Sequence, residues 1–262
     1  MFTTSPNAAD PTRLTLVRAA YRAFDEHSPL AREPTLPGYL ADMGRPFGVR
    51  LRPAPFTSGH SHGEMAEPLL DALDDGRPID VLVLAERMHD VRPGRATATY
   101  LGSRVPGAPL AFAVCDQGSA APFTALRLLD AYARSGVCAR ALLLVVEQST
   151  LHYEPITPVR LPDRHTAVAL LLEAGPTTTI TVRQHVGVAD GAALDAELDS
   201  LCAGHDDPVV LRASADLPLT GLWWELAAGL DSWAALGKRV VLADHDPTVG
   251  LLSVAAIDLG GR

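Results

Sequence analysis

The stretch that decides the fold is Cys115-Asp-Gln-Gly-Ser119-Ala-Ala-Pro-Phe123-Thr-Ala-Leu126-Arg-Leu-Leu129-Asp130-Ala-Tyr132-Ala-Arg-Ser135-Gly136. Phe123, Leu126, Leu129, Tyr132 and Ala133 recur at the spacing of one helical face, and Gly136 supplies a stop. An apolar run, Leu110 to Cys115, precedes the turn, and a second, Ala141 to Val146, follows the helix. The pattern predicts strand, turn, helix, strand, with Ser119 in the turn where the helix begins. A side chain at such a place lies near unpaired backbone N–H groups and the positive end of the helix dipole. Those features lower a thiol pKa and can stabilise an oxyanion.

Outward from this segment the same alternation continues. Upstream, Leu14 to Ala20 reads as a first strand or the start of a helix. Prolines crowd residues 26 to 58, too many for long regular elements. Glu64 to Asp75 has a helical apolar face, Ile79 to Ala85 is an apolar strand and Arg95 to Leu101 a short helix. Downstream, Thr166 to Leu172 and Thr178 to Val182 read as paired strands, Ala192 to Cys202 as a helix and Pro208 to Leu211 as a strand. Leu222 to Leu236 is a Trp-containing helix, Arg239 to Ala243 a strand and Val249 to Leu259 a last strand. Helices alternating with apolar strands predict an α/β layered fold with buried sheets. Residues 1 to 13 read as a flexible lead-in.

The chain of 262 residues is 47% hydrophobic and 20% charged, enough for a sizeable core. Its net charge of −9 argues against nucleic acid or an anionic membrane as partner. No apolar run reaches the ~18 residues of a membrane span, and no leader is evident. A soluble, cytoplasmic protein is therefore expected. Cys115, Cys138 and Cys202 are odd in number and lack CxxC spacing, which argues against a disulfide framework or a zinc site. There is no Gly-rich phosphate loop or nucleotide fingerprint, so no cofactor is expected.

The quoted segment resembles the nucleophile region of ketosynthase III enzymes, members of the thiolase superfamily. Ala125-Leu126, Asp130, Tyr132, Ser135-Gly136 and the following strand with Glu147 and Ser149 fit the family pattern without a gap. The helix before Ile79-Asp80 and the final hairpin, Gly237 to Leu242 followed by Val249 to Val254, resemble it as well. The resemblance implies a thiolase-like layered α-β-α-β-α fold, shortened in its second half. It implies a single domain over residues 1–262, with halves at 1–165 and 166–262.

The catalytic set of that family is incomplete here. Ser119 stands where the family carries its cysteine, and Cys115, four residues earlier, reads as a small core residue. The family's histidine motif would fall at Arg212 to Asp216 and its asparagine motif at Leu219 to Glu225; neither residue type is present there. A serine needs a positioned base to become nucleophilic. His245, in the final hairpin, is the candidate helper. Asp116 and Gln117 flank the turn as candidate pocket groups. Trp223 and Trp224 would fill the space an acyl chain needs, as core, interface or substrate contacts. The His60-Ser-His62 loop is a weaker, metal-binding alternative, expected to be exposed to solvent.

These departures resemble the non-catalytic subunits of heterodimeric condensing enzymes of the alkylquinolone type. The implied partner is a complete ketosynthase III-like subunit in fatty acyl or polyketide-type secondary metabolism, a heteromer in preference to a homodimer. Acyl carrier protein or acyl-CoA would be reached through that partner. The alternative is a stand-alone acyltransferase acylated on Ser119.

Overall fold

The computed structural model describes residues 14–25, 28, 33–52, 59–92, 95–155, 158–174, 180–188, 192–246 and 249–259. The lead-in expected over 1 to 13 lies outside them. Among the described residues, nine strands and six α-helices run in the order β1 (Leu14–Phe24), α1 (Leu36–Gly44), α2 (His62–Leu73), β2 (Val81–Glu86), α3 (Thr97–Gly102), β3 (Leu110–Val114), α4 (Ala121–Arg134), β4 (Arg140–Glu147), β5 (His165–Ala174), β6 (Ile180–Val186), α5 (Ala192–Cys202), β7 (Val209–Arg212), α6 (Gly221–Ala235), β8 (Arg239–Asp246) and β9 (Leu251–Asp258). A 3-10 turn, Gly118–Ala120, leads directly into α4. No helix among the described residues is long and apolar enough to cross a membrane.

The strands form two mixed sheets, β1-β5-β4-β2-β3 and β6-β9-β8-β7. Alternation along each strand assigns its two faces to different layers. On β4, Leu143 and Val145 join Phe123, Leu126 and Leu129 of α4 and Trp223, Leu226 and Leu230 of α6 in one cluster. That cluster extends to Val240 and Leu242 of β8 and Ala255 and Ile257 of β9, so α4 and α6 lie between the sheets. Leu142 and Leu144 face the other way, onto Met65, Leu69 and Leu70 of α2. Leu198 and Leu201 of α5 cover Val241, Ala243 and Val254 on the far side of the second sheet. The result is the expected α-β-α-β-α layering, with a second sheet of four strands against five in the first.

Two expectations need correction. Thr166 to Leu172 lies within β5 and residues 180–182 begin β6, but these strands are not paired: β5 lies between β1 and β4, whereas β6 pairs with β9, and residues 178–179 lie outside the described residues. Alternation reports burial, not partnership, and eight consecutive buried residues in β5 mark an interior strand. The run Leu110 to Cys115 was expected to be buried, yet β3 is the edge of its sheet and only Val114 on it is buried. Cys115 falls just past the strand and is half-buried, not part of the core.

Candidate functional site

Ser119 is where the sequence predicts it, in the turn that opens α4, and it is buried. The turn is built by two left-handed residues, Asp116 at φ 60° and Gly118 at φ 55°. Asp is among the few side chains that tolerate this region. Gly118 is constrained twice over, because a Cβ there would lie 2.1 Å from Asp246 Oδ2. Asp116 is exposed and Gln117 half-buried. The Gln117 side chain accepts a hydrogen bond from Thr124 one turn into α4, so it stiffens the turn.

The groups facing Ser119 come from the end of β8. Its hydroxyl donates to Asp244 Oδ2 at 2.6 Å and lies 3.4 Å from Asp246 Oδ2. Its backbone N–H donates to Asp246 Oδ2 at 3.2 Å. Val240 and Leu242 point into the helix layer between the sheets, and Asp244 and Asp246 continue on that face. Val241 and Ala243 point outward, and His245 follows them; its Nε2 meets the Val188 carbonyl at 2.9 Å. The expected helper is thus carried away from Ser119 by strand periodicity. No histidine among the described residues is hydrogen-bonded to the serine. Burial, reinforced by the charge of Asp246, pushes the Asp244 carboxyl up to about 6 against the pull of the Ser119 hydroxyl.

A second carboxylate serves the other central helix. Glu147, the last residue of β4, is buried and accepts from Leu219 N, Thr220 N and Thr220 Oγ1, each at 3.0 Å. It therefore caps α6 at the segment where the family pattern would carry asparagine. Burial pushes its carboxyl up against those hydrogen bonds and against Arg87, whose Nη1 lies 3.8 Å away.

Trp223 is fully buried and meets Phe123 edge-on at 5.0 Å between the sheets. Trp224 is half-buried, with Tyr21 at 4.6 Å and the Arg164 guanidinium at 5.6 Å. It lines an open cleft of about 590 Å³ together with Asp25, Arg164, Asp216 and Glu225, and Ser119 is not part of that lining. His60 and His62 are buried rather than exposed. Ser61 caps α2 in a reciprocal box with Glu64, which draws the loop inward. His62 Nδ1 lies 2.6 Å from Glu86 Oε2. Burial pulls the His62 imidazole down, but the Glu86 hydrogen bond and the charges of Asp90 and Glu86 outweigh that and hold it above its usual value. Among the described residues no group of three or more metal-ligating side chains converges, so the metal reading finds no ligand set at this loop.

Sequence reasoning missed the roles of Asp244, Asp246 and Glu147. The signal was there for the first two. Ending the strand at Ala243 hid the alternation that separates residues 244 and 246 from 245, and β8 in fact runs to Asp246.

No protein-family model and no curated protein matches this sequence. Solved structures do. A 3-oxoacyl-(acyl-carrier protein) synthase from Burkholderia xenovorans LB400 is similar with a TM-score of 0.62 at 14% identity, covering 95% of this chain and 95% of its own. The fold is thiolase-like. A second structure, 3-oxoacyl-(acyl carrier protein) synthase III, FabH, from Pseudomonas aeruginosa PAO1, gives a TM-score of 0.61 at 14% identity over 95% of this chain and 98% of its own. The ishigamide ketosynthase/chain length factor gives 0.53 at 16% identity over 72% of this thiolase-like chain and 75% of its own. These neighbours are condensing enzymes of thiolase fold, and at such identities the likeness speaks for the architecture.

Proposed function

We propose that this thiolase-like chain is a ketosynthase III-like subunit that performs no condensation itself and completes a heteromeric condensing enzyme or acyltransferase. The observation that carries the reading is the occupancy of the turn. The hydroxyl of Ser119 is committed to Asp244 and its N–H to Asp246. Acyl transfer builds negative charge on the nucleophile and then on the acyl oxygen, and a catalytic site meets that charge with donors. A new anion ~3.5 Å from a carboxylate at an effective dielectric of ~20 is opposed by about 5 kcal/mol per carboxylate. The positions at Arg212 to Asp216 and Leu219 to Glu225 offer no histidine or asparagine to offset this.

The partner side of the reading rests on β3. This edge strand exposes Leu110 (48%) and leaves Ala111 and Phe112 half-exposed, a row of apolar residues and free ladder groups that invites pairing. The neighbouring ishigamide protein is itself a ketosynthase paired with a chain length factor. By analogy the partner is a complete ketosynthase III-like subunit of fatty acyl or polyketide-type secondary metabolism, reaching acyl carrier protein or acyl-CoA on this chain's behalf. Co-expression with such subunits followed by analytical ultracentrifugation is the test. A heteromer is expected; a stable monomer at micromolar concentration, or a homodimer with acyl transfer of its own, overturns the reading.

One observation favours a second reading, a stand-alone acyltransferase. The 2.6 Å contact joins Ser119 to an acceptor, Asp244, that is largely ionised at neutral pH. Mass spectrometry after incubation with acyl-CoA separates the two: an acyl adduct on Ser119 supports this reading, and an unmodified chain supports the first.

A further inference from the structure

Away from Ser119, a buried imidazole sits between two acids where two segments of the chain meet. His62 opens α2 with 1% of its side chain exposed, and its Nδ1 lies 2.6 Å from Glu86 Oε2 at the end of β2. Its backbone N–H donates to Asp90 Oδ1 at 3.1 Å. Asp90 also accepts from the Arg92 N–H at 3.1 Å and from the Thr97 hydroxyl at 3.0 Å. Residues 87–92 are thereby tied to the head of α2, and the buried Met88 and Val91 seat them. The same segment begins with Arg87, which lies 3.8 Å from Glu147 and draws the Asp244 carboxyl down. Also at this junction, among the described residues, is His152, after β4. Burial, with the charges of His89 and His62, pulls its imidazole down to about 4 against Asp90. The Arg95 guanidinium lies beside Gly63 and over the Tyr100 ring. Glu64 is turned to Ser61 and Ser28, His89 is exposed, and the rings of His60 and His165 meet edge-on at 5.3 Å.

Two acids beside one enclosed base favour the charged base. We infer that His62 is a buried imidazolium latching residues 87–92 to the head of α2, and that losing its proton above neutral pH loosens that segment together with Arg87. A neutral imidazole still has one N–H for Glu86, but it no longer offsets the charges of Glu86 and Asp90. Met88 and Val91 keep the segment seated, so the change is a local loosening. His62 is held above its usual 6.5, so the stability it contributes is complete below that pH and is lost as pH rises through the folded value.

The test is NMR on the full chain, in whatever assembly it purifies as, with Glu86→Gln as the comparison. The His62 ring should titrate with a midpoint above 6.5 in the parent and with a lower one in Glu86→Gln. The His62 and Arg92 amides, both donors to Asp90, report the latch through hydrogen exchange. After correction for intrinsic rates, their exchange should speed up about tenfold between pH ~6 and pH ~8.5 in the parent and much less in Glu86→Gln. A midpoint at or below 6.5 overturns the imidazolium, and equal acceleration in the two chains overturns the latch. Should Glu86→Gln not fold, His62→Gln, which has no proton to lose, takes its place with the Arg92 amide read alone. Neither readout involves a partner or Ser119, so failure here is distinguishable from failure of the subunit reading, which shows in co-expression.

Discussion

Two carboxylates end two helices at the centre of this molecule, and they do different work. Glu147 at α6 accepts from three donors, is buried, and has Arg87 nearby. Asp246 at α4 shares its ground with Asp244, two residues along the same strand, and both reach the same serine. The first arrangement satisfies every donor with one charge and is a cap. The second brings two acids to one hydroxyl, where burial, reinforced by the charge of Asp246, pushes the Asp244 carboxyl up to about 6. The contrast teaches that a helix end can be closed by one acid shared among several donors or by two acids crowded onto one hydroxyl.

The largest effect is expected from breaking the cap. Glu147→Ala leaves the buried Leu219 and Thr220 N–H groups without their acceptor, while the Thr220 hydroxyl keeps Thr166 Oγ1 at 2.6 Å, and should cost about 3 kcal/mol in urea unfolding. Glu147→Gln keeps one acceptor oxygen and should lose clearly less. If alanine costs no more than glutamine, Glu147 is not a cap and the comparison fails.

The crowded site should respond with the opposite sign. Asp244 has a folded pKa of about 6 against 3.8 unfolded, so the native state binds the extra proton between those values. Its contribution to stability is best below about pH 4 and worsens as pH rises towards about 6. Asp244→Asn removes that penalty and should raise stability at pH 7 by ~2 kcal/mol while flattening the pH 4–6 slope. Measured stability that falls with this change would place Asp244 among the structural carboxylates.

Arg87 sharpens the comparison because it serves both acids, at 3.8 Å from Glu147 and as a charge that draws Asp244 down. Arg87→Ala should move the Asp244 titration upward and cost about 1 kcal/mol. An Asp244 titration, followed by carboxyl NMR, that does not move would show the two sites to be independent. The smallest effect belongs to Ser119→Ala. It removes one hydrogen bond, so stability should change by about 1 kcal/mol and, under the proposed subunit function, the activity of the assembled enzyme hardly at all. A loss of ~10³ in activity, the scale of a nucleophile, would transfer the protein to the acyltransferase reading.

Much of the architecture was legible because periodicity reports burial. The face Phe123, Leu126, Leu129 and Ala133 placed α4, and the continuous run Ala141 to Val146 placed a strand buried on both sides. Partnership was not legible. Hydrophobic alternation is the same whether β5 pairs with β6 or with β1 and β4, and the apolar run at Leu110 did not show that it lies at an edge. The site divided the same way. Ser119 was found from local order alone, but His245 was expected beside it, where Asp244 and Asp246 in fact lie.

The sequence by itself determined the order of helices and strands from α2 onward, the serine at the head of α4 and the lack of histidine and asparagine where the resemblance would place them. Each of these is a local or compositional property, written in consecutive residues. Only the tertiary structure decided what meets Ser119. Asp244 and Asp246 lie 125 and 127 residues away, and Glu147 reaches across 72 residues to α6. Such contacts are set by the packing of two sheets against a shared helix layer and by where β8 ends. One residue more or less in that strand exchanges a histidine for a carboxylate, because successive side chains face opposite ways.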